Sequence, residues 1–167
     1  MRAVGRSPAP DAAVVGWQER GVKDAASEFV IETDPTPEQV QYLEDRLYEF
    51  NSSATGITDG EGLAIFVRDD EEHIVAGICG HTWGGYCEIR QFWVEESQRG
   101  RGLGTKLLGA AEHEARRRGC RQIFLVTFTF QAPAFCMKRG FETLATVDDY
   151  PRGHQNLLLR KRLGEAS

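Results

Sequence analysis

The sequence predicts one mixed α/β (α+β) domain, and three observations carry that expectation. Strand-like apolar runs recur through residues 28–162, interrupted by helical periodicities rather than by one long helical pattern. The clearest of those periodicities, Leu103 to Arg118, opens directly from a glycine-rich loop that itself follows a strand-like run. A hydrophobic content of 41% in 167 residues is enough for a single packed core.

Taken in order, residues 1–27 are rich in Ala, Gly, Arg and Pro and lack sustained periodicity. They read as a loose N-terminal extension, in which Val14-Val15-Gly-Trp17 can dock on a domain spanning 28–167. Glu28 to Glu32 reads as a first strand. Asp34-Pro-Thr-Pro37 stops it and supplies helix-start chemistry, with Thr36 as cap and Pro37 at the first helical position. Val40, Leu43, Leu47 and Phe50 share one helical face, and Gln41, Glu44, Asp45 and Glu49 lie mostly on the other. This amphipathic helix is expected to end before Asn51-Ser-Ser. Residues 52–62 are loop.

Leu63 to Val67 and Ile74 to Cys79 form a hairpin across the charged turn Arg68–Glu72. Trp83-Gly-Gly-Tyr86 marks a second turn, and Cys87 to Val94 is the fourth predicted strand. The helix from Leu103 directs Leu107, Leu108, Ala111 and Ala115 inward. Arg116-Arg-Arg-Gly119 gives it a dipole-matched, solvated end. Ile123 to Phe128 is almost continuously apolar, as for a strand buried on both faces. A short helix from Ala132-Pro133 to Arg139 and two closing strands, Phe141 to Val147 and Leu157 to Arg162, complete the chain.

Composition excludes several functions. A net charge of −5 argues against nucleic-acid binding and mildly favours a cationic substrate. Cys79, Cys87, Cys120 and Cys136 show no CxxC pairing and no metal-ligand rhythm, so they read as free thiols in a reducing compartment. No apolar run approaches the roughly 20 residues that span a bilayer, and no signal-like segment opens the chain. The expectation is a cytoplasmic protein with no membrane, nucleic-acid or metal partner.

The loop Arg99-Gly-Arg-Gly-Leu-Gly-Thr105 carries the chemistry. Three glycines in five positions let backbone N–H groups converge, the following helix adds its positive end, and Arg99, Arg101 and Lys106 add full charges. Phosphate or pyrophosphate fits such a cradle, while a plain glycine turn with a basic surface is the bland alternative.

The element order and this loop resemble the GNAT (GCN5-related N-acetyltransferase) superfamily. Arg99-x-x-Gly102-x-Gly104 is similar to its Arg/Gln-x-x-Gly-x-Gly/Ala motif. Ala134-Phe-Cys-Met-Lys-Arg-Gly140-Phe141 looks like its later helix. The resemblance implies a GNAT fold, with a central mixed, mostly antiparallel sheet of about six to seven strands flanked by helices. It also implies acetyl-CoA as co-substrate. Cofactor contacts would then come from Trp93, Val94, Arg99, Gly100, Arg101, Gly102, Leu103, Gly104 and Thr105. A Rossmann site would want its glycine loop near the first strand.

The same resemblance implies direct acetyl transfer to an amine, with Glu88 as candidate general base on the fourth predicted strand. Strict alternation puts Glu88, Arg90, Phe92 and Val94 on one face; a bulge would upset that parity, and a Glu88–Arg90 ion pair is the structural alternative. At the family's usual acid position, a tyrosine four residues before the Gly of Gly-Phe, this chain has Cys136. The acid is therefore open among Cys136, Tyr150 and water, and Cys136 reads equally as a small packing residue. His81 and His154 read as surface or hydrogen-bonded structural histidines, and Trp83 and Tyr86 as hairpin packing or a wall for an acceptor. The activity implied is N-acetylation of a small amine, an antibiotic or polyamine-like metabolite. The alternatives are a protein or peptide acetyltransferase and a non-catalytic acyl-CoA-binding module. A homodimer would be in keeping with the family.

Overall fold

The computed structural model describes residues 31–164. The expected extension 1–27 lies outside them. So does most of the expected first strand, of which Ile31 and Glu32 are described and are not in a strand.

Two units part between Tyr42 and Leu43. Helix α1 (Pro37–Thr55) begins in the first and runs into the second. Its start is a reciprocal capping box. Gln39 N donates to Thr36 Oγ1 at 3.3 Å, and Thr36 N donates to Gln39 Oε1 at 2.7 Å. The helix runs past the expected stop at Asn51: Thr55 Oγ1 donates back to Asn51 O, and Gly56 N closes on Ser52 O. Ser and Asn compete for backbone hydrogen bonds, yet here they stay within the last turn. The face expected to be buried is not: no α1 residue is buried, and Val40, Leu43, Leu47 and Phe50 are exposed.

The second unit, from Leu43, holds the sheet and the other helices. Six strands are present among the described residues: β1 (Glu61–Arg68), β2 (Ile74–Trp83), β3 (Tyr86–Val94), β4 (Gln122–Phe128), β5 (Glu142–Asp148) and β6 (Gln155–Arg162). Their order is β1-β2-β3-β4-β6-β5, and β3–β4 is the one parallel pair among antiparallel ones. Helix α2 (Leu103–Arg117) returns the chain from the end of β3 to the start of β4, as a parallel pair requires. Helix α3 (Pro133–Met137) follows β4.

Leu107, Leu108, Ala111 and Ala115 of α2 pack on one face of the sheet, against Leu63, Ile78, Cys87, Ile89, Ile123, Leu125 and Leu159. Cys87 is so enclosed that desolvation pushes its thiol up to about 12. β4 is not buried on both faces as its apolar run suggests. Ile123, Leu125 and Thr127 are buried, but Val126 on the other face is 53% exposed. A run of apolar residues says nothing about which face is covered, and here α2 covers one.

The arginine run at the end of α2 also differs from expectation. Arg118 is a tie rather than a solvated end, with a side chain only 13% accessible. Its guanidinium reaches Glu114 Oε1 at 2.7 Å, Gly62 O at 2.9 Å and Thr82 Oγ1 at 3.2 Å, fastening α2 to β1 and β2.

Candidate active site

The site is organised by an interruption in β3. β2 and β3 pair in register until Gly80↔Ile89, but Cys79 then faces Gln91, so Arg90 is an extra residue. This bulge switches the parity. Phe92 and Val94 pack against the core together with Cys87 and Ile89, instead of sharing a face with Glu88. The alternation expected from sequence therefore fails beyond Ile89, for the reason a bulge always gives. Gly80 makes the bulge possible. A Cβ there would stand 1.9 Å from Glu88 O, a backbone atom that cannot step aside.

Beyond the bulge the sheet opens. β4 pairs with β3 only from Tyr86↔Gln122 to Ile89↔Leu125. Among the described residues, no strand pairs with Arg90 to Val94 on the edge of β3 turned away from β2. A strand edge left open beside a neighbour whose pairing has ended can accept an extended chain as a stand-in strand.

The glycine loop lies at the end of that wall. A 3-10 turn, Glu96–Gln98, precedes it. Gly100 and Gly102 have φ of +75° and +82°, and Gly102 is the N-cap of α2 without any side-chain cap. The first-turn amides of Leu103, Gly104 and Thr105 are thus left without intrahelical acceptors. A Cβ on Gly100 or Gly102 would meet no protein atom within 4 Å, so it is the positive φ, not crowding, that calls for glycine there. Arg99 Nε donates to Val94 O at 3.0 Å, tying the loop to the strand end, and Arg101 reaches Gln98 Oε1 at 3.3 Å. Gly104 has a different job: a Cβ there would stand 3.3 Å from Phe135 and 3.6 Å from Phe92. Those two rings meet edge-on at 5.9 Å beneath the loop.

Sequence patterns do not point to Arg139. Its guanidinium lies 5.1 Å from the Phe135 ring centre, and Nη2 donates to Thr105 Oγ1 at 2.5 Å. Its Nε is buried without a hydrogen-bond partner. A cation held at a helix N-terminus opposes the helix dipole, and an anion between the two relieves the conflict. The residues present therefore fit a phosphate group. The one sequence signal is a basic residue next to Gly140, which the motif does not distinguish from any helix end.

The remaining predicted residues separate into two places. Glu88 lies on the sheet face opposite α2, in register with His81 across β2 and with Phe124 across β4. Its Oε2 is 3.3 Å from His81 Nδ1 and accepts a hydrogen bond from Arg90 Nε at 3.2 Å; Arg90 Nη1 then reaches Glu44 Oε1 of α1 at 3.2 Å. Trp93 is half exposed. Cys136, by contrast, is 5% exposed within the core cluster, and burial pushes its thiol up. Tyr150 packs edge-on to Phe128, at the far end of β4 from Phe124. His154 meets Phe130 edge-on. Trp83 donates from Nε1 to Ile57 O, a hairpin-packing role.

A sheet splayed after its parallel pair, with a glycine-built helix start at the mouth of the splay, defines an acyltransferase architecture. The chain belongs to the acetyltransferase (GNAT) family, whose model matches residues 24–141. It is 31% identical to an acetyltransferase of Agrobacterium fabrum over 134 residues, 80% of this chain and 98% of that one. It is also 34% identical to blasticidin-S acetyltransferase of Streptomyces morookaense over 104 residues, 62% of this chain and 76% of that one. Among solved structures, an acetyltransferase from Bacillus cereus matches with a TM-score of 0.66 and 33% identity, covering 81% of this chain and 98% of its own. Among the described residues no helix is long and apolar enough to cross a membrane.

Proposed function

We propose that this chain is an acetyl-CoA-dependent N-acetyltransferase whose acceptor is the primary amine of a small molecule. The observation that carries the reading is the meeting, on β3, of an unpaired strand edge with an uncapped, glycine-built helix start. When bound, the donor supplies an activated acyl thioester. The amides of Gly100 to Thr105 would hold its pyrophosphate, with Arg99, Arg101 and Arg139 opposing the charge. The main chain of Trp93 and Val94 would pair with the pantetheine arm, and an amide there would stabilise the oxygen that gains charge. Glu88 is the carboxylate behind removal of the amine proton.

Burial among core residues supports a packing role for Cys136, leaving solvent to protonate the departing thiolate. The small-molecule choice draws on the acidic balance of the chain and on the antibiotic acetyltransferase among its relatives. The test is thiol release from acetyl-CoA by the purified full chain, across antibiotic amines, polyamines and a lysine peptide. Release dependent on a small amine is expected. Release with the peptide alone would make it a protein acetyltransferase, and tight acetyl-CoA binding with no release would make it a binding module.

A further inference from the structure

We infer that His81 is the group that takes the proton from the acceptor amine, and that Glu88 acts through it. This rests on the acetyltransferase reading above. The two residues sit directly opposite each other on the antiparallel strands β2 and β3, on the sheet face away from α2, and Glu88 is one residue before the last β3–β4 pair, Ile89↔Leu125. His81 Nδ1 is 3.3 Å from Glu88 Oε2. That nitrogen is itself buried and has no aligned hydrogen bond, although the side chain as a whole is 36% accessible. Nδ1 is therefore turned in beside the carboxylate, and the accessible area of the side chain lies on atoms other than Nδ1. Catalytic hydrogen bonds are commonly loose until substrate is bound, so 3.3 Å is within the range a ring rotation closes.

Glu88 is poorly placed to be the proton acceptor itself. The oxygen facing His81 is the same one that Arg90 Nε contacts, and Arg90 is in turn shared with Glu44. Among the described residues, Glu88 and Arg90 on β3 and Glu44 on α1 are the charged groups of this chain of contacts. A carboxylate oxygen already engaged by a guanidinium is a good holder for an imidazole N–H. An imidazole ordinarily changes charge near neutrality, so it can both take a proton from an amine and release it to water within a turnover.

The step balances. As the amine nitrogen forms its bond to the acyl carbon and the carbon–sulfur bond breaks, the surplus proton on nitrogen passes to Nε2 of His81. Glu88 stabilises the resulting imidazolium through Nδ1–H. Solvent protonates the thiolate and receives the proton from the ring.

The test compares His81→Ala, His81→Asn and Glu88→Gln in the full chain, with an accepted amine at saturation and acetyl-CoA varied. His81→Ala should lower kcat roughly 100-fold with the KM for acetyl-CoA unchanged. Added imidazole should restore part of that rate in proportion to its concentration, a rescue that a purely structural histidine would not show. His81→Asn keeps a polar contact to Glu88 but carries no base, and should be equally slow, which covers the case in which the alanine variant folds poorly. Glu88→Gln should cost less, about 10-fold, and the double variant His81→Ala/Glu88→Gln should be no slower than His81→Ala alone. Wild-type turnover in His81→Asn, or a larger loss in Glu88→Gln than in either His81 variant, overturns the inference and returns the proton to Glu88. Absence of thiol release by the wild type with every amine is a different result, and it removes the acetyltransferase reading along with this one.

Discussion

The end of β3 and its middle are built by different means. At the end, from Val94 into Gly102, the elements proposed to bind are main-chain: two positive-φ residues, an uncapped helix start, and a strand edge with no partner strand among the described residues. In the middle, at Glu88, they are side chains from three elements: His81 on β2, Arg90 on β3 and Glu44 on α1. A main-chain site is encoded by consecutive residues and tolerates exchange of most side chains around it. A side-chain cluster exists only if strand register, bulge and facing residues all hold at once.

The strongest way to break the main-chain end is Gly102→Val. A β-branched residue at φ +82° costs about 1–3 kcal/mol in strain and should turn the loop amides away from their present directions. Losing one or two charge-assisted amide contacts as well, acetyl-CoA affinity should fall roughly 100-fold, measured by calorimetry. Affinity within about threefold of wild type would show that the donor does not use this loop.

The side-chain cluster should break from a distance, through Gly80→Ala. The added methyl overlaps Glu88 O, so β2 and β3 must separate at the bulge. An overpacking cost of about 2 kcal/mol corresponds to a Tm lower by roughly 6 °C. Turnover should drop about tenfold, because the bulge sets where Glu88 and His81 point, while acetyl-CoA affinity stays near wild type. Equal losses of affinity and turnover would mean that the two halves of β3 are not separable.

This division also explains what can be read from the sequence. Gly100, Gly102 and Gly104 are close together and carry a local meaning, so the helix start is legible in residues 99–105 alone. The order of strands and helices is legible too, since periodicity and turn residues are local. The face of Phe92 and Val94 is not, because one inserted residue at Arg90 reverses it, and only the pairing with β2 reveals the insertion. His81 looks like an ordinary strand histidine for the same reason: its partner Glu88 lies on the next strand, across a turn. Arg139 reaches Thr105 across 34 positions, and nothing in either segment announces that contact. Cys136 is open in the sequence between acid and packing residue, because a motif position says nothing of burial, and here the side chain is 5% exposed.

The far end of α2 offers a control that should leave both regions untouched. Hydrogen bonds from Arg117 and Arg118 hold Glu114 down at about 2, below its ordinary value of 4.5. A carboxyl whose folded pKa is depressed adds stability that is fully present above its unfolded pKa and is lost as pH falls toward the folded one. The contribution of Glu114 should therefore be intact above about pH 4.5 and gone near pH 2. Glu114→Gln removes this dependence, so the Tm difference between wild type and variant should shrink steadily across that window. Both acetyl-CoA affinity and turnover at neutral pH should stay unchanged. Parallel Tm curves down to about pH 2 would mean that Glu114 gains nothing from its two arginines. A change in turnover would mean that the Arg118 tie to β1 and β2 transmits to the bulge, and that the middle of β3 depends on the far end of the helix.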